Sequence, residues 1–146
     1  MRLSGGRYIL PKGWIYFVKI RELQSLMDAQ ILCGEDKLDQ DVYSACCSDM
    51  MSDVLAFVKD QGVLLTGLVN PQVIRTANMM DMVCIVFVRD KTPNEAMVHM
   101  ADDTGLVVMK TAMRAYEACG KIYLSGLRGK AEKVEPLNKP GDACCG

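Results

Sequence analysis

From Val42 onward, short apolar runs alternate with amphipathic stretches about every 20 residues. GVLLT (62–66), MVCIVFV (82–88) and LVVM (106–109) are apolar throughout, as strands buried on both faces are. Residues 42–46 read as a further strand. Helices are predicted over 49–59, 71–80, 93–104 and 112–124. Upstream, Ile20, Leu23 and Met27 share one face of a helix over 20–28. A strand over 29–33, closed by Gly34, and a polar loop over 35–41 follow. Strands and helices in strict alternation predict an α/β protein: a three-layer α/β/α fold with a mainly parallel central sheet.

Helix-start residues agree with this register. Asn70 precedes Pro71, an N-cap before a proline at the first helical position. Thr92 precedes Pro93-Asn94-Glu95, so Thr92 and Glu95 are expected to form a capping box. Thr111 is expected to cap the last helix, and Gly105 to take the left-handed position that closes the third.

The last helix shows two apolar stripes. Ala112, Ala115, Cys119 and Ile122 form one; Met113, Tyr116, Gly120, Tyr123 and Leu127 form the other. A surface helix needs one. The second is expected to make a further contact, in a homodimer or beneath the N-terminal residues. The chain divides into an N-terminal extension (1–17), the α/β domain (18–128) and a C-terminal tail (129–146). Trp14, Tyr16 and Phe17 are the residues through which the extension is expected to pack, and the Lys-, Pro- and Gly-containing tail is expected to be mobile.

Composition narrows the class. Of 146 residues, 50% are hydrophobic and 24% charged, which suits one globular domain. The net charge of -1 gives no reason to expect nucleic acid. No apolar run reaches the roughly 20 residues needed to cross a bilayer. Residues 1–20 scatter Arg2, Arg7, Lys12 and Lys19 among apolar positions, a poor signal peptide, so a cytoplasmic location with no membrane contact is expected. Seven cysteines occur. Cys33, Cys46 and Cys84 sit in apolar runs and are expected to act as small hydrophobes in a reducing compartment.

Ligands of open α/β sheets sit beyond the carboxyl ends of the parallel strands. There this chain delivers Cys47, Ser48 and Asp49; then Thr66, Gly67 and Asn70; then Arg89, Asp90, Lys91 and Thr92; then Lys110 and Thr111. Cations, hydroxyls and helix N-termini in one place suit a phosphate, a carboxylate or a nucleotide. Gly67 would allow close backbone approach. The candidate ligand-binding set is Ser48, Asp49, Thr66, Gly67, Asn70, Arg89, Lys110 and Thr111. The competing reading makes Asn70, Thr92 and Thr111 plain helix caps and pairs Arg89 with Asp90 on the surface.

Catalytic machinery is not apparent. The single histidine, His99, lies mid-helix, away from the strand ends. There is no GxxxxGK[ST] loop and no GxGxxG after a strand. Cys46-Cys47 and Cys144-Cys145 lack the C-x2-C spacing of zinc and iron–sulfur sites. No cofactor and no metal are expected.

Four segments carry a family resemblance: CSDMMSDVLA (47–56), VLLTG (63–67), DMVCIVFVRDKTP (81–93) and LVVMKTAMRAYEACGKI (106–122). They resemble the DRTGG domain, and VKIREL (18–23) is similar to its start. The resemblance spans roughly residues 18–125. It implies a fold like the N-terminal, non-catalytic domain of HPr kinase/phosphorylase. It also implies dimers and a regulatory role, in some relatives near adenine-nucleotide sites. Stand-alone versions are similar to small proteins of anaerobes found near iron hydrogenase genes. Two departures stand out. Leu68-Val69 replaces the charged pair that often follows Thr-Gly, and Asp90 and Lys91 replace glycines.

The leading expectation is a non-catalytic regulatory or ligand-sensing domain that dimerises and binds an anionic small molecule or nucleotide. The alternatives are an interaction module for a redox enzyme such as an iron hydrogenase, and an enzyme of unrecognised type.

Overall fold

The computed structural model describes residues 2–3, 7–8, 17–57 and 61–129. Two short strands, β1 (Arg2–Leu3) and β2 (Arg7–Tyr8), pair antiparallel. β3 (Val18–Lys19) leads into helix α1 (Ile20–Met27), which is followed by β4 (Gln30–Cys33) and a 3-10 turn over Glu35–Lys37. β5 (Asp41–Val42) pairs antiparallel with β3. The alternating half of the chain follows: β6 (Ser44–Cys47), α2 (Met51–Phe57), β7 (Gly62–Thr66), α3 (Pro71–Met79), β8 (Cys84–Phe87), α4 (Glu95–Asp103), β9 (Val107–Lys110) and α5 (Ala115–Leu124). Trp14, Tyr16, the end of the helix expected over 49–59 and the tail beyond Gly129 lie outside the described residues.

The central sheet has the order β4-β9-β8-β7-β6. β6 to β9 are parallel and lie side by side in chain order; β4 closes the far edge antiparallel to β9. Three successive crossovers in one direction, sharing one hand, put α2, α3 and α4 on one face. The side chains sort accordingly. Leu64, Ile85, Phe87 and Val108 pack with Met51, Val73, Ile74 and Met97. Their neighbours Val63, Leu65, Cys84, Val86, Val107 and Met109 pack with Leu23 and Met27 of α1 and Ala118 and Ile122 of α5. The apolar runs were continuous because both faces are covered. This is a three-layer α/β/α arrangement around a mostly parallel sheet.

Several local expectations give way to tertiary contacts. The strand expected over 42–46 divides at Tyr43: Val42 pairs with Val18, whereas Ser44 pairs with Gly62. The capping box does not form. Asn94, not Thr92, caps α4, its side chain accepting from Met97 N at 2.9 Å. Two residues N-terminal to that cap, Thr92 is left for another role. Thr111 does not cap α5, whose N-cap is Arg114. It is buried instead, donating to the Met27 carbonyl at 2.6 Å. With α5 starting at Ala115, Ala112 and Met113 fall outside the helix, and the second stripe breaks up. Leu127 is buried, while Tyr116, Tyr123 and Leu124 are exposed. Asn70 caps α3 as expected, and Gly105 is left-handed at φ 78. Cys84 is buried, but Cys33 and Cys46 only half so, because they lie on the edge strands β4 and β6.

Gly34 turns the chain out of β4 at φ +85, and a Cβ there would lie 2.8 Å from Val107 Cγ2 and 3.0 Å from its Cα. Gly34→Ala should cost more than about 1 kcal/mol in urea unfolding. Gly120 is the control: on α5 an added Cβ meets nothing within 4 Å. Gly120→Ala should stabilise by about 0.5–1 kcal/mol through helix propensity. Equal shifts for the two variants would refute the close-contact reading of Gly34.

Candidate functional site

The carboxyl ends of β6 to β9 share one rim, since Cys47, Thr66, Phe87 and Lys110 close strands paired in register. Asp49, in the loop after β6, reaches across it. Its Oδ1 accepts from Gly67 N at 2.7 Å and from Thr66 Oγ1 at 3.0 Å. Thr66 Oγ1 in turn accepts from Leu68 N at 3.1 Å. Asp49 Oδ2 faces Arg89 Nη2 at 3.4 Å. The Arg89 guanidinium lies directly over Gly67, where any Cβ would meet it. The bare Cα of Gly67 thus makes room for a side chain of the same protein, and a Cβ there would displace the guanidinium. The Gly67 amide, aided by the Thr66 hydroxyl and the Arg89 charge, holds the Asp49 carboxyl below the usual carboxylate range against a partial desolvation.

A second group adjoins the first. Lys110 Nζ donates to Thr92 Oγ1 at 3.1 Å and pairs with Asp90 Oδ1 at 3.4 Å. Arg89 and Asp90 both occupy the left-handed region, at φ 60 and 55. Such a conformation costs a non-glycine residue about 1–2 kcal/mol. Two backbone bonds hold it: Arg89 N to Met113 O and Asp90 N to Thr111 O, each 2.8 Å. This tandem bend directs the Arg89 side chain toward Asp49 and the Asp90 side chain toward Lys110. It falls where the DRTGG resemblance expects glycine.

Of the candidate residues, the structure brings Asp49, Thr66, Gly67 and Arg89 into direct contact, with Lys110 linked through the Arg89–Asp90 bend. The other three are engaged elsewhere. Ser48 Oγ accepts from Met50 N at 3.0 Å within its own turn. Asn70 Oδ1 accepts from Gln72 N at 2.8 Å as the α3 cap. The Thr111 hydroxyl faces inward, and its backbone N–H and carbonyl serve the rim. Sequence reasoning placed Asp90 and Thr92 at the strand ends yet left them out of the candidate set. The apparent capping box masked Thr92, and Asp90 reads as a surface partner of its neighbour. His99 is exposed on α4. Among the described residues, no cluster of His, Cys, Asp and Glu suits a metal ion, and no helix is long and apolar enough to cross a membrane.

No family model matches the chain. No curated protein matches it either. Among solved structures, it is similar to the CBS and DRTGG domains of the regulatory region of Clostridium perfringens pyrophosphatase, crystallised with the activator diadenosine tetraphosphate. The identity is 12% and the TM-score 0.62; the match covers 73% of this chain and 46% of that one. At this identity the likeness is one of fold, a DRTGG-like α/β arrangement. The chain spans under half the length of that structure.

Asp49 has its folded-state pKa lowered, so it adds stability at pH values above the unfolded carboxylate pKa of about 3.9, and that stability fades as pH falls through the lower folded value. Asp49→Ala should therefore be less stable than the parent at neutral pH in urea titrations. The gap should narrow once the pH drops below about 4. A gap that stays constant into strong acid would rule out the ionised carboxylate as its source.

Proposed function

We propose that this chain is a non-catalytic ligand-sensing regulatory module that takes the phosphate or carboxylate of an anionic small molecule or nucleotide on the rim of its sheet. The supporting observation is the state of its two cations. Arg89 and Lys110 sit on neighbouring strand ends, each paired with a carboxylate at 3.4 Å. The Arg89–Asp49 pair is about half exposed on both sides, at 49% and 56%. Exposed pairs of this kind contribute roughly 0–1 kcal/mol. A bidentate guanidinium–phosphate contact is stronger and recruits Arg89 at little cost. The network beneath it, Asp49 to Thr66 and Gly67, keeps the guanidinium positioned over the strand ends. The pyrophosphatase regulatory region of like fold was crystallised with a nucleotide activator, in keeping with this role.

Thermal unfolding with saturating ATP, AMP, acetyl phosphate and inorganic phosphate tests the reading. A ligand at one hundred times its Kd adds about 2.7 kcal/mol, roughly 8 °C for a domain of this size. Arg89→Ala should weaken binding about 10- to 100-fold, the loss of one charge-assisted contact. His99→Ala should leave it unchanged. A midpoint unmoved by all four compounds rejects the site, and turnover of any of them rejects the non-catalytic reading.

We further propose a homodimer through the outer face of α5. Tyr116, Tyr123 and Leu124 are 89%, 58% and 85% exposed there. Beside them runs a groove of about 720 Å³ between α1 and α5, bordered by Leu26, Lys121 and Leu124. Burying such a face is favourable by about 25 cal/mol per Å² of apolar surface. Light scattering should report a dimer that Leu124→Glu converts to a monomer. A dimer that survives Leu124→Glu places the interface elsewhere. A parent chain that is monomeric at its highest soluble concentration excludes the dimer.

A further inference from the structure

β6 forms one edge of the sheet, and its side chains alternate across it. Ala45 packs with the cluster beneath α1 and α5, and Cys46 with the cluster beneath α2 and α3. Cys47 therefore points to the same side as Ala45, toward α5, which lies against β6. Cys119 of α5 packs on that same cluster. On that side the two thiols face each other across the β6–α5 packing, close enough for each to act on the other's charge. Both are reduced; Cys47 is an exposed residue and Cys119 a half-buried one. Cys46, although adjacent in sequence, lies on the opposite side of the strand. The fully buried Cys84 and the half-buried Cys33, whose Sγ donates to the Leu106 carbonyl, belong to the interior and the far edge.

We propose that Cys47 and Cys119 are a redox-active thiol pair that closes to a disulfide between the β6 edge and α5. The co-reactant is a low-molecular-weight disulfide of the glutathione type. The Cys119 sulfur attacks one sulfur of that disulfide, forming a mixed disulfide and releasing one small thiolate, to which the Cys119 proton passes directly or through water. The Cys47 sulfur then attacks Cys119 and releases the second small thiol, while the Cys47 proton passes to the departing thiolate or to water. Two protein thiols are oxidised and one small disulfide is reduced to two thiols. Desolvation of the Cys47 sulfur where it turns toward α5, and then the contact with Cys119, push its pKa up to about 12. The two residues are far apart in sequence, so the crosslink restricts the unfolded chain strongly. It also ties α5 to the strand that leads into Asp49, although the thiol chemistry stands whether or not the rim binds a ligand.

The test uses the full chain carrying Cys144→Ser and Cys145→Ser, treated with oxidised glutathione in mildly alkaline buffer. The expected product is a monomer that has lost two hydrogen atoms in mass. Its digest should contain one peptide linking Cys47 to Cys119, and its thermal midpoint should rise by roughly 5–15 °C. Dithiothreitol should reverse all three. Cys119→Ser and Cys47→Ser should each abolish the link, and Cys46→Ser should retain it. A link from Cys47 to Cys46, a link between chains, or separate glutathione adducts on Cys47 and Cys119 with no crosslink would overturn the pairing.

Discussion

The Asp49 carboxylate accepts two hydrogen bonds at one oxygen and turns the other toward a guanidinium. In doing so it joins the loop after β6 to the end of β7 and to the bend after β8. The Gly67 amide that it satisfies at 2.7 Å lies just past the last β7 residue, where the ladder no longer supplies a partner. Without that carboxylate, an amide and a hydroxyl at the rim lose their acceptor. Arg89 loses the anion that holds it over Gly67. The rest of the candidate site is arranged around this one group, and the missing Gly67 side chain is what allows Arg89 to lie there.

The rim combines a rigid base with loosely held charges. Its backbone is pinned by short bonds: Thr111 N to Phe87 O, Asp90 N to Thr111 O and Arg89 N to Met113 O, each 2.8 Å. These oblige two non-glycine residues to adopt left-handed geometry, strain of the kind that concentrates at functional positions. The cations that project from this base form only long ion pairs, half exposed for Arg89 with Asp49 and exposed mainly on the Asp90 side for Lys110. Rigid placement lowers the ordering entropy that a ligand must overcome, and weak pairing leaves the charges free to change partner.

The sheet is asymmetric at its edges. β4 is antiparallel at one side. At the other, β6 is flanked by Arg128, whose carbonyl accepts from Ala45 N at 3.0 Å. That edge brings Cys46 and Cys47 to the surface, and the alternation of the strand separates them, assigning Cys47 to α5. The features of greatest chemical interest, the Asp49–Arg89 rim and the Cys47–Cys119 contact, are adjacent because both begin at the end of β6.

The order of elements, the parallel sheet and its two covered faces were legible in the sequence. Those properties follow from local periodicity and from uninterrupted runs such as GVLLT, which every register of packing would have to bury. The Asn70 cap and the left-handed Gly105 were legible for the same reason, since each involves atoms a few residues apart. The split at Tyr43, the inward turn of Thr111 and the choice of Asn94 over Thr92 as a cap were decided by tertiary structure. Each depends on a competing partner distant in sequence: Val18, Met27 and Lys110. The candidate set named the right rim but could not separate Asp49, Thr66, Gly67 and Arg89, which touch one another, from Ser48 and Asn70, which cap their own turns. All of them lie at strand ends and are of types that suit such a rim. Only the three-dimensional path of the chain determines which polar group still has a hydrogen bond to make across the sheet.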